Sequence, residues 1–505
     1  MELITERHAA KISGELSCLD RVVLSGTIPG ICYADGMSSY LRLKGIRIFD
    51  YARWAEPLRD QIRQNAQGLA EKAGLSIEHL RRSDIRKEKR VREILKKRGE
   101  QQGLVCIFSA MEACPSYKPW HDKPSGRTFL KGDTGKCLHY YFYFIDRDLG
   151  LCYVRVPSWA PFRLQVYFNG HGMLAAALRR RQIEARMLDN GFVQVADWSQ
   201  AQRLAEPPRP QWLHRKLDRY ARQFGPPVAL FDSGYHWSLM QVEYATDIVF
   251  YRQQDLAPIY EALVRTAVHA VKAENVAMFL GRKLGGQYRD ELGTDFQTRI
   301  QGTRIKHHMG KAAIKMYDKH GLILRIETTV NDVSFFKHHR RVEHRDGSWE
   351  MKTAALKKSI YSLPQLVELL WAANRRYLEF ISSLEDPSSA LKDLEKIAVA
   401  VRDGERLLRG FNLFAGEDLD LFQTLLRGEF NISGFQNKHL AQHLQKAGRK
   451  VSWLLKRLRG HGLIKKIGRC YKYYLTALGR RVAAAALRLR EMTIIPTLAA
   501  AHVNV

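Results

Sequence analysis

The string KMYDKHGLILRIE, residues 315–327, is the most unusual in the chain. It reads as a hairpin turned at Asp318-Lys319-His320-Gly321. In its second strand Arg325, Glu327 and Thr329 share one face, while Leu324, Ile326, Thr328 and Val330 share the other. An earlier strand, residues 241–247, places Glu243 and Asp247 on one face as well. Carboxylates gathered across a sheet supply the hard oxygen donors that Mg²⁺ takes, and an ion so held polarises a phosphate and activates a nucleophile. The expected metal ligands are therefore Glu243, Asp247 and Glu327, with Mg²⁺ as the cofactor and Glu327 and Asp318 as candidate catalytic residues. A structural reading uses the same residues: Asp318 makes the turn, and Glu327 pairs with Arg325 or Lys315 across the hairpin. Asp20, ahead of the first strand, is one more acidic candidate that a turn or cap explains as well.

What these carboxylates would act on is suggested by charge. The 505 residues include 81 Lys and Arg against 52 Asp and Glu, a formal balance of +29. A surplus of this size calls for a polyanion, and nucleic acid is the first choice because phosphate neutralisation releases counterions. The charge is also clustered. Residues 421–490 hold 16 Lys and Arg and one acid, Glu429; residues 81–98 hold ten, with three acids. Within the second cluster Arg86, Lys89 and Arg90 lie on a helix too poor in apolar residues to be core, which suits tracking of phosphates.

The C-terminal cluster has a shape. Residues 418–427 read as a short helix, Ser433 to Gln445 as a second opened by a capping box at Ser433 and Gln436, and residues 449–460 as a third. On the third helix Val451, Leu454, Leu455 and Leu458 form an apolar face. Arg449, Ser452, Trp453 and Lys456 lie opposite, with Arg457 as a further contact, a pattern suited to a major groove. Residues 463–467 and 471–476 then alternate around a basic tip, so Lys465, Lys466, Arg469 and Lys472 are expected over the phosphate backbone. A last helix follows, through Glu491.

Residues 418–491, down to the run HGLIKK…YYLTALGRR, resemble the winged helix-turn-helix of MarR-type regulators, which implies DNA binding. The YDK…LRIE string resembles the central segment of phage and plasmid rolling-circle replication initiators. That resemblance implies a metal or strand-end ligand at Glu327 and a nucleophilic tyrosine at Tyr317. The chain departs from that pattern in one respect: those initiators place two histidines around one bulky residue, and none of the 18 histidines here has a partner two positions away. The segments DRVVLSGT, LHYYFYFID…GLCYVRVP and MYDKHGLILRIETTVND, with the winged-helix end, together resemble a group of bacterial proteins of mobile or multicopy elements.

Other constellations are excluded or open. Seven scattered cysteines without a CxxC offer neither a zinc ribbon nor a redox pair. No phosphate loop, nucleophile elbow or kinase signature is present. His439 and His443 are one helical turn apart but lack a third ligand. The aromatic run Tyr140 to Phe144, with Tyr153 and Arg155 opposite, reads as core or as a platform for unpaired bases.

To position these residues the chain needs an α+β architecture: mixed α/β N-terminal and central domains with antiparallel sheets, a helical connector and a C-terminal winged helix. Strands are expected at 21–27, 103–108, 138–145, 151–156, 162–168, 241–250, 303–309, 312–317 and 322–330, and helices at 51–72, 77–98, 171–185, 256–271 and 363–384. The proline-rich stretch 205–210 separates a first domain, 1–204, from a central one, 211–352; the connector spans 353–409, the winged helix 410–495 and a tail 496–505. No membrane-spanning run and no export signal are read, so the expected setting is cytoplasmic and nucleoid-associated. The function expected is DNA binding through the winged helix with metal-dependent nicking of a strand in a mobile or replicative element. The alternatives are a non-enzymatic MarR-like regulator and an RNA-binding partner protein, and the oligomeric state stays open.

Overall fold

The computed structural model describes residues 3–81, 86–271, 273–282, 292–299, 302–344, 346–385, 387–412, 415–426, 430, 434–466 and 471–488. Its centre is one eleven-stranded sheet. In chain order its strands are β1 (Ile12–Thr27), β2 (Ile77–His79), β3 (Gly103–Asp122), β4 (Arg127–Asp146), β5 (Gly150–Pro157) and β6 (Leu164–Asn169). A separate hairpin, β7 (Ala185–Leu188) and β8 (Gly191–Val195), comes next. The sheet resumes with β9 (His236–Phe250), β10 (Leu292–Arg299), β11 (Gly302–Met309), β12 (Ala312–Lys319) and β13 (Ile323–Val330). The spatial order is β10-β11-β12-β13-β9-β1-β6-β5-β4-β3-β2, antiparallel except where β2 meets β3.

The long strand β1 sits at the middle, between β6 and β9. This corrects the expected division at 205–210. Residues from either side of that stretch share one sheet, and Pro210 simply opens a helix, Pro210–Phe224, at a position where a missing N–H costs nothing. One face of the sheet carries the main apolar core, with Val22, Leu24, Phe142, Val154, Val166, Ile248, Leu324 and Ile326 under helices Tyr51–Lys72, Pro210–Phe224, Gln253–Ala270 and Leu363–Glu385. The last of these is therefore no free connector. Leu366, Leu370, Tyr377 and Ile381 belong to the core, and buried Asn374 donates to the carbonyls of Tyr244 (3.1 Å) and Ile326 (3.2 Å), pinning the helix across β9 and β13. All eight residues of β13 are buried, so its opposite face is covered too. That cover is thinner: helices Gly170–Arg180 and Trp198–Leu204 pack on Leu16 and Cys18, and helix Lys87–Arg98 packs on Phe108 and Tyr143.

Two further expectations are corrected. Residues 77–98 do not form one helix: Ile77–His79 pair with Ile107–Ser109 as an edge strand, and the helix starts only at Lys87. The helix expected from Ser433 begins at Asn437. Ser433 lies outside the described residues; Gly434 has φ +65°, and Phe435 exchanges backbone hydrogen bonds with Tyr473, which keeps both out of the helix.

The C-terminal unit has its own core, in which Ile397, Phe411, Leu421, Phe422, Leu440, Val451, Leu455, Leu458, Leu463 and Val482 meet. Its elements are helices Gly416–Leu425, Asn437–Leu444 and Gly448–Gly460, a hairpin of Ile464–Lys466 with Tyr473–Leu475, and helix Ala477–Arg488. No helix among the described residues is long and apolar enough to cross a membrane.

Candidate metal centre

Three carboxylates converge on the thinly covered face. Asp20 of β1, Glu243 of β9 and Glu327 of β13 each offer an oxygen, and these oxygens lie within 4.8 Å of one another. The register explains the meeting. Between the pairs Leu19–Tyr244 and Val22–Val242, two residues of β1 oppose the single residue Glu243, a β-bulge that turns Asp20 onto the face of Glu243. On β13, Glu327 lies across from Ala245 and Thr329 from Glu243, so alternation brings Glu327 to the same face.

Asp20 is held firmly. Its Oδ1 accepts from Asn169 Nδ2 (2.8 Å) and Asn190 Nδ2 (2.7 Å), with His171 Nδ1 at 3.2 Å. Asn169 also caps the helix that begins at Gly170, accepting from the amides of His171 and Gly172. Gly170 has to be glycine, because a Cβ there would stand 1.9 Å from the Leu19 carbonyl oxygen. That close approach seats the buried His171 beside the bulge. Burial opposes the Asp20 anion, but His171, Arg325 and Asn169 outweigh it and hold the carboxyl well below the ordinary range.

Arg325 is fully buried beside this group. Its Nε and Nη2 bond the two oxygens of Asp247 at 2.6 Å each, and Nη2 also reaches the Asn190 carbonyl at 2.7 Å and His171 Nε2 at 3.0 Å. Both hydrogens of Arg325 Nη2 go to the shorter acceptors, Asp247 and the Asn190 carbonyl. Against burial and the Arg325 charge, His171, with Asp20 at Nδ1 and Asp247 3.4 Å from Nε2, is held well above the ordinary imidazole range. Arg325 Nη1 has no hydrogen-bond partner among the described residues and faces Asp20 Oδ2 at 3.5 Å. A buried donor left over in this way points at the same space as the three carboxylates.

The remaining side of the centre is polar and partly open. Lys315 Nζ bonds Glu327 Oε1 at 2.6 Å and stands 3.6 Å from Glu243 Oε1; the Tyr317 hydroxyl donates to Glu327 Oε2 at 2.7 Å. Glu243 itself accepts only long bonds, from Gln241 and Thr329 at 3.3 Å each. Burial, then the Glu327 charge, pushes the Glu243 carboxyl above its ordinary range. Four carboxylates (Asp20, Asp247, Glu243 and Glu327) thus face Arg325, Lys315 and the raised imidazole of His171. Lys319 is occupied with Asn190 and Asp189. The three converging carboxylates offer an oxygen-only donor set of the kind Mg²⁺ takes.

Several expected site residues take other roles. Asp247 is the counter-ion of Arg325 and no member of the triad; burial works against its charge, but Arg325 and His171 bring its carboxyl down to about 2. Asp318 pairs with Leu324, so alternation turns it to the opposite face from Tyr317, and it accepts from the Gly321 amide at 2.9 Å as a turn residue. Tyr317 does reach the centre, but its phenol proton is held well above the ordinary range by burial and by Glu327, which suits a donor and not a resting nucleophile. His171, Asn169 and Asn190 carried no sequence signal.

The expected nucleic-acid contacts also divide. Arg449, Ser452, Trp453, Lys465 and Lys466 are exposed, and Lys456 and Lys472 are half-buried, Lys456 standing 3.6 Å from Asp403. Arg457 is a correction: it is fully buried, bonded to Asp418 at 2.6 and 2.8 Å and to the Arg409 carbonyl at 3.0 Å. Arg469 lies outside the described residues. Lys89 and Arg86 are exposed, while Arg90 is engaged with Glu78 and Glu93. Compared with family models, curated proteins and solved structures, the chain matches none.

Proposed function

We propose that the chain binds DNA and processes a strand of it in a mobile or replicative element, using a divalent ion at Asp20, Glu243 and Glu327. The observation that carries this reading is the convergence of those carboxylates from three strands, with an Arg325 nitrogen beside them that makes no hydrogen bond among the described residues. A bound Mg²⁺ would supply charge for a phosphate and lower the pKa of a water. The chain's own residues do the rest. Arg325 holds Asp20 and Asp247 in place, Lys315 releases Glu327 by moving its flexible stem, and Glu327 takes a proton from the attacking oxygen. The C-terminal unit is read as a winged helix like that of MarR-type regulators, with Arg449, Ser452 and Trp453 against a groove and Lys465 and Lys466 over phosphates. Its helix order, its terminal hairpin and the exposure of those side chains support the reading.

A second reading has one observation in its favour. Lys315 already bridges Glu327 and Glu243, as it would in a purely internal ion-pair network, and the chain would then be a non-enzymatic DNA-binding regulator or an RNA partner. The test is cleavage of supercoiled plasmid, single-stranded DNA and RNA in Mg²⁺ or Mn²⁺ by wild type and Glu327→Gln. Nicking by wild type that the variant loses, with duplex binding retained, supports the enzyme. No cleavage of any substrate by wild type refutes it in favour of the second reading.

A further inference from the structure

A cavity of about 510 Å³ opens on the same sheet face, between the start of helix Lys87–Arg98 and strands β3 to β6. Its floor is Tyr143, Tyr153 and Gln165, and its rim carries Arg86, Lys87 and Arg155 with one carboxylate, Glu88, among them. The size suits a nucleotide, since small-ligand sites run from about 300 to 1,000 Å³.

The polar groups here are sorted into spent and spare. Glu112 takes Arg155 (2.8 and 3.0 Å), Lys87 (3.1 Å) and the Tyr141 hydroxyl (2.7 Å), so it neutralises part of the rim. Tyr143 is 3 % exposed, lines the cavity, and its hydroxyl has no hydrogen-bond partner among the described residues. Gln165 spends only its amide nitrogen, on the Tyr153 hydroxyl at 3.4 Å. Arg86 stands at the mouth without an ion pair among the described residues. A tyrosine hydroxyl that opens into the cavity and an amide carbonyl are thus left to face the edge of a base, beside tyrosine rings, with a spare cation outside.

The cavity is also in line with the carboxylates. Tyr153 stacks on Tyr167 (centroids 5.1 Å, 15°), and the Arg21 guanidinium lies 5.3 Å from the Tyr167 centroid. Along β6, Gln165, Tyr167 and Asn169 share this face, and Asn169 is bonded to Asp20. Four residues of strand separate cavity and triad by about 13 Å.

We infer that this cavity takes one nucleoside-monophosphate unit of a single-stranded polynucleotide, with the base against Tyr143, Tyr153 and Gln165 and the phosphate at Arg86. The inference rests on the reading that the chain handles a strand, and it needs no metal.

The test is fluorescence anisotropy of the full chain in EDTA with labelled oligothymidylate, thymidine monophosphate as competitor, and a duplex as control. Tyr143→Phe keeps the ring and removes one hydrogen bond, so single-strand affinity should fall about fivefold with duplex binding unchanged; Arg86→Ala should cost single-strand affinity about as much. In parallel, 4-thiothymidine in the oligonucleotide should crosslink wild type at Tyr143 or Tyr153, a readout that needs no variant to fold. Monophosphate displacing the oligonucleotide at equal affinity would overturn the strand in favour of a free nucleotide. Unchanged affinity in both variants with crosslinks elsewhere would overturn the site. Plasmid nicking assayed on the same variants separates this result from the catalytic reading: cleavage can survive loss of the cavity, and strand binding can survive Glu327→Gln.

Discussion

Glu243→Gln is the cleanest perturbation of the triad. Asp20 and Glu327 are each held by bonds of 2.8 Å or less, so their substitution also alters those local bonds, whereas Glu243 has only 3.3 Å bonds and a lysine 3.6 Å away. The carboxyl of Glu243 is raised by burial and by Glu327. A carboxyl whose folded-state pKa lies above its unfolded value favours folding when protonated, and folding loses that support as pH rises from the unfolded towards the folded value. At neutral pH without metal, the glutamine variant should therefore be slightly more stable than wild type. Metal reverses the order. A ligand at one hundred times its Kd adds about 2.7 kcal/mol to the folded state, and at a hundredfold weaker Kd the same concentration adds only about 0.4 kcal/mol. Hydrogen exchange at the amides of β9 and β13 reads this directly. Saturating Mg²⁺ should slow wild type about a hundredfold and the variant about twofold, if those amides exchange by an opening that empties the site. Equal slowing of both proteins, or none in either, would refute the metal centre whatever its activity.

Three other outcomes follow from named contacts. Arg457→Met should destabilise the C-terminal unit by about 3–5 kcal/mol, because it leaves buried Asp418 without its partner. Hydrogen exchange should place that loss within residues 397–486 and leave β9 unchanged. Arg449→Ala should weaken duplex binding by about 1–3 kcal/mol if it reads a base edge, or lower the salt slope by about one if it meets a phosphate; an unchanged titration removes this helix from the interface. The Asp247 carboxyl is held near 2, so its contribution to stability is complete above the unfolded value of about 3.9 and is lost as pH falls towards 2. The stability gap between wild type and Asp247→Asn, measured in urea, should accordingly narrow over that window.

Strand alternation made part of the centre legible. Glu243 and Glu327 were found because a two-residue period assigns a face without knowing the partner strand. Asp20 could not be placed in that way, since its face depends on an irregularity where two residues of β1 oppose one of β9, more than two hundred residues apart in the chain. Asp247 was misread for the converse reason: its face was right, but Arg325, directly opposite on β13, claims both its oxygens. Arg457 shows the same limit on a helix. It falls at the border of the apolar stripe, and Asp418, which draws it inwards, is 39 positions away. The boundary at 205–210 failed because prolines mark the end of a local element, whereas β1 chooses its neighbours β6 and β9 across that mark.

The position of Lys315 bears on why the centre can fold at all. Burying four carboxylates together is costly unless cations accompany them, and Arg325 answers Asp20 and Asp247 while Lys315 answers Glu327 and Glu243. The two cations differ in kind. Arg325 has no exposure, is fixed by bonds to Asp247 and the Asn190 carbonyl, and faces Asp20 with its remaining nitrogen. Lys315 keeps 15 % of its side chain exposed, on a stem free to turn towards solvent. A lysine of this kind can hold the carboxylates together during folding and still yield to a divalent ion of higher charge density. An arginine in its place would lock the triad, so Lys315→Arg should keep the fold and suppress metal-dependent protection at β9 and β13. Full protection in that variant would show that ion and lysine do not share a place.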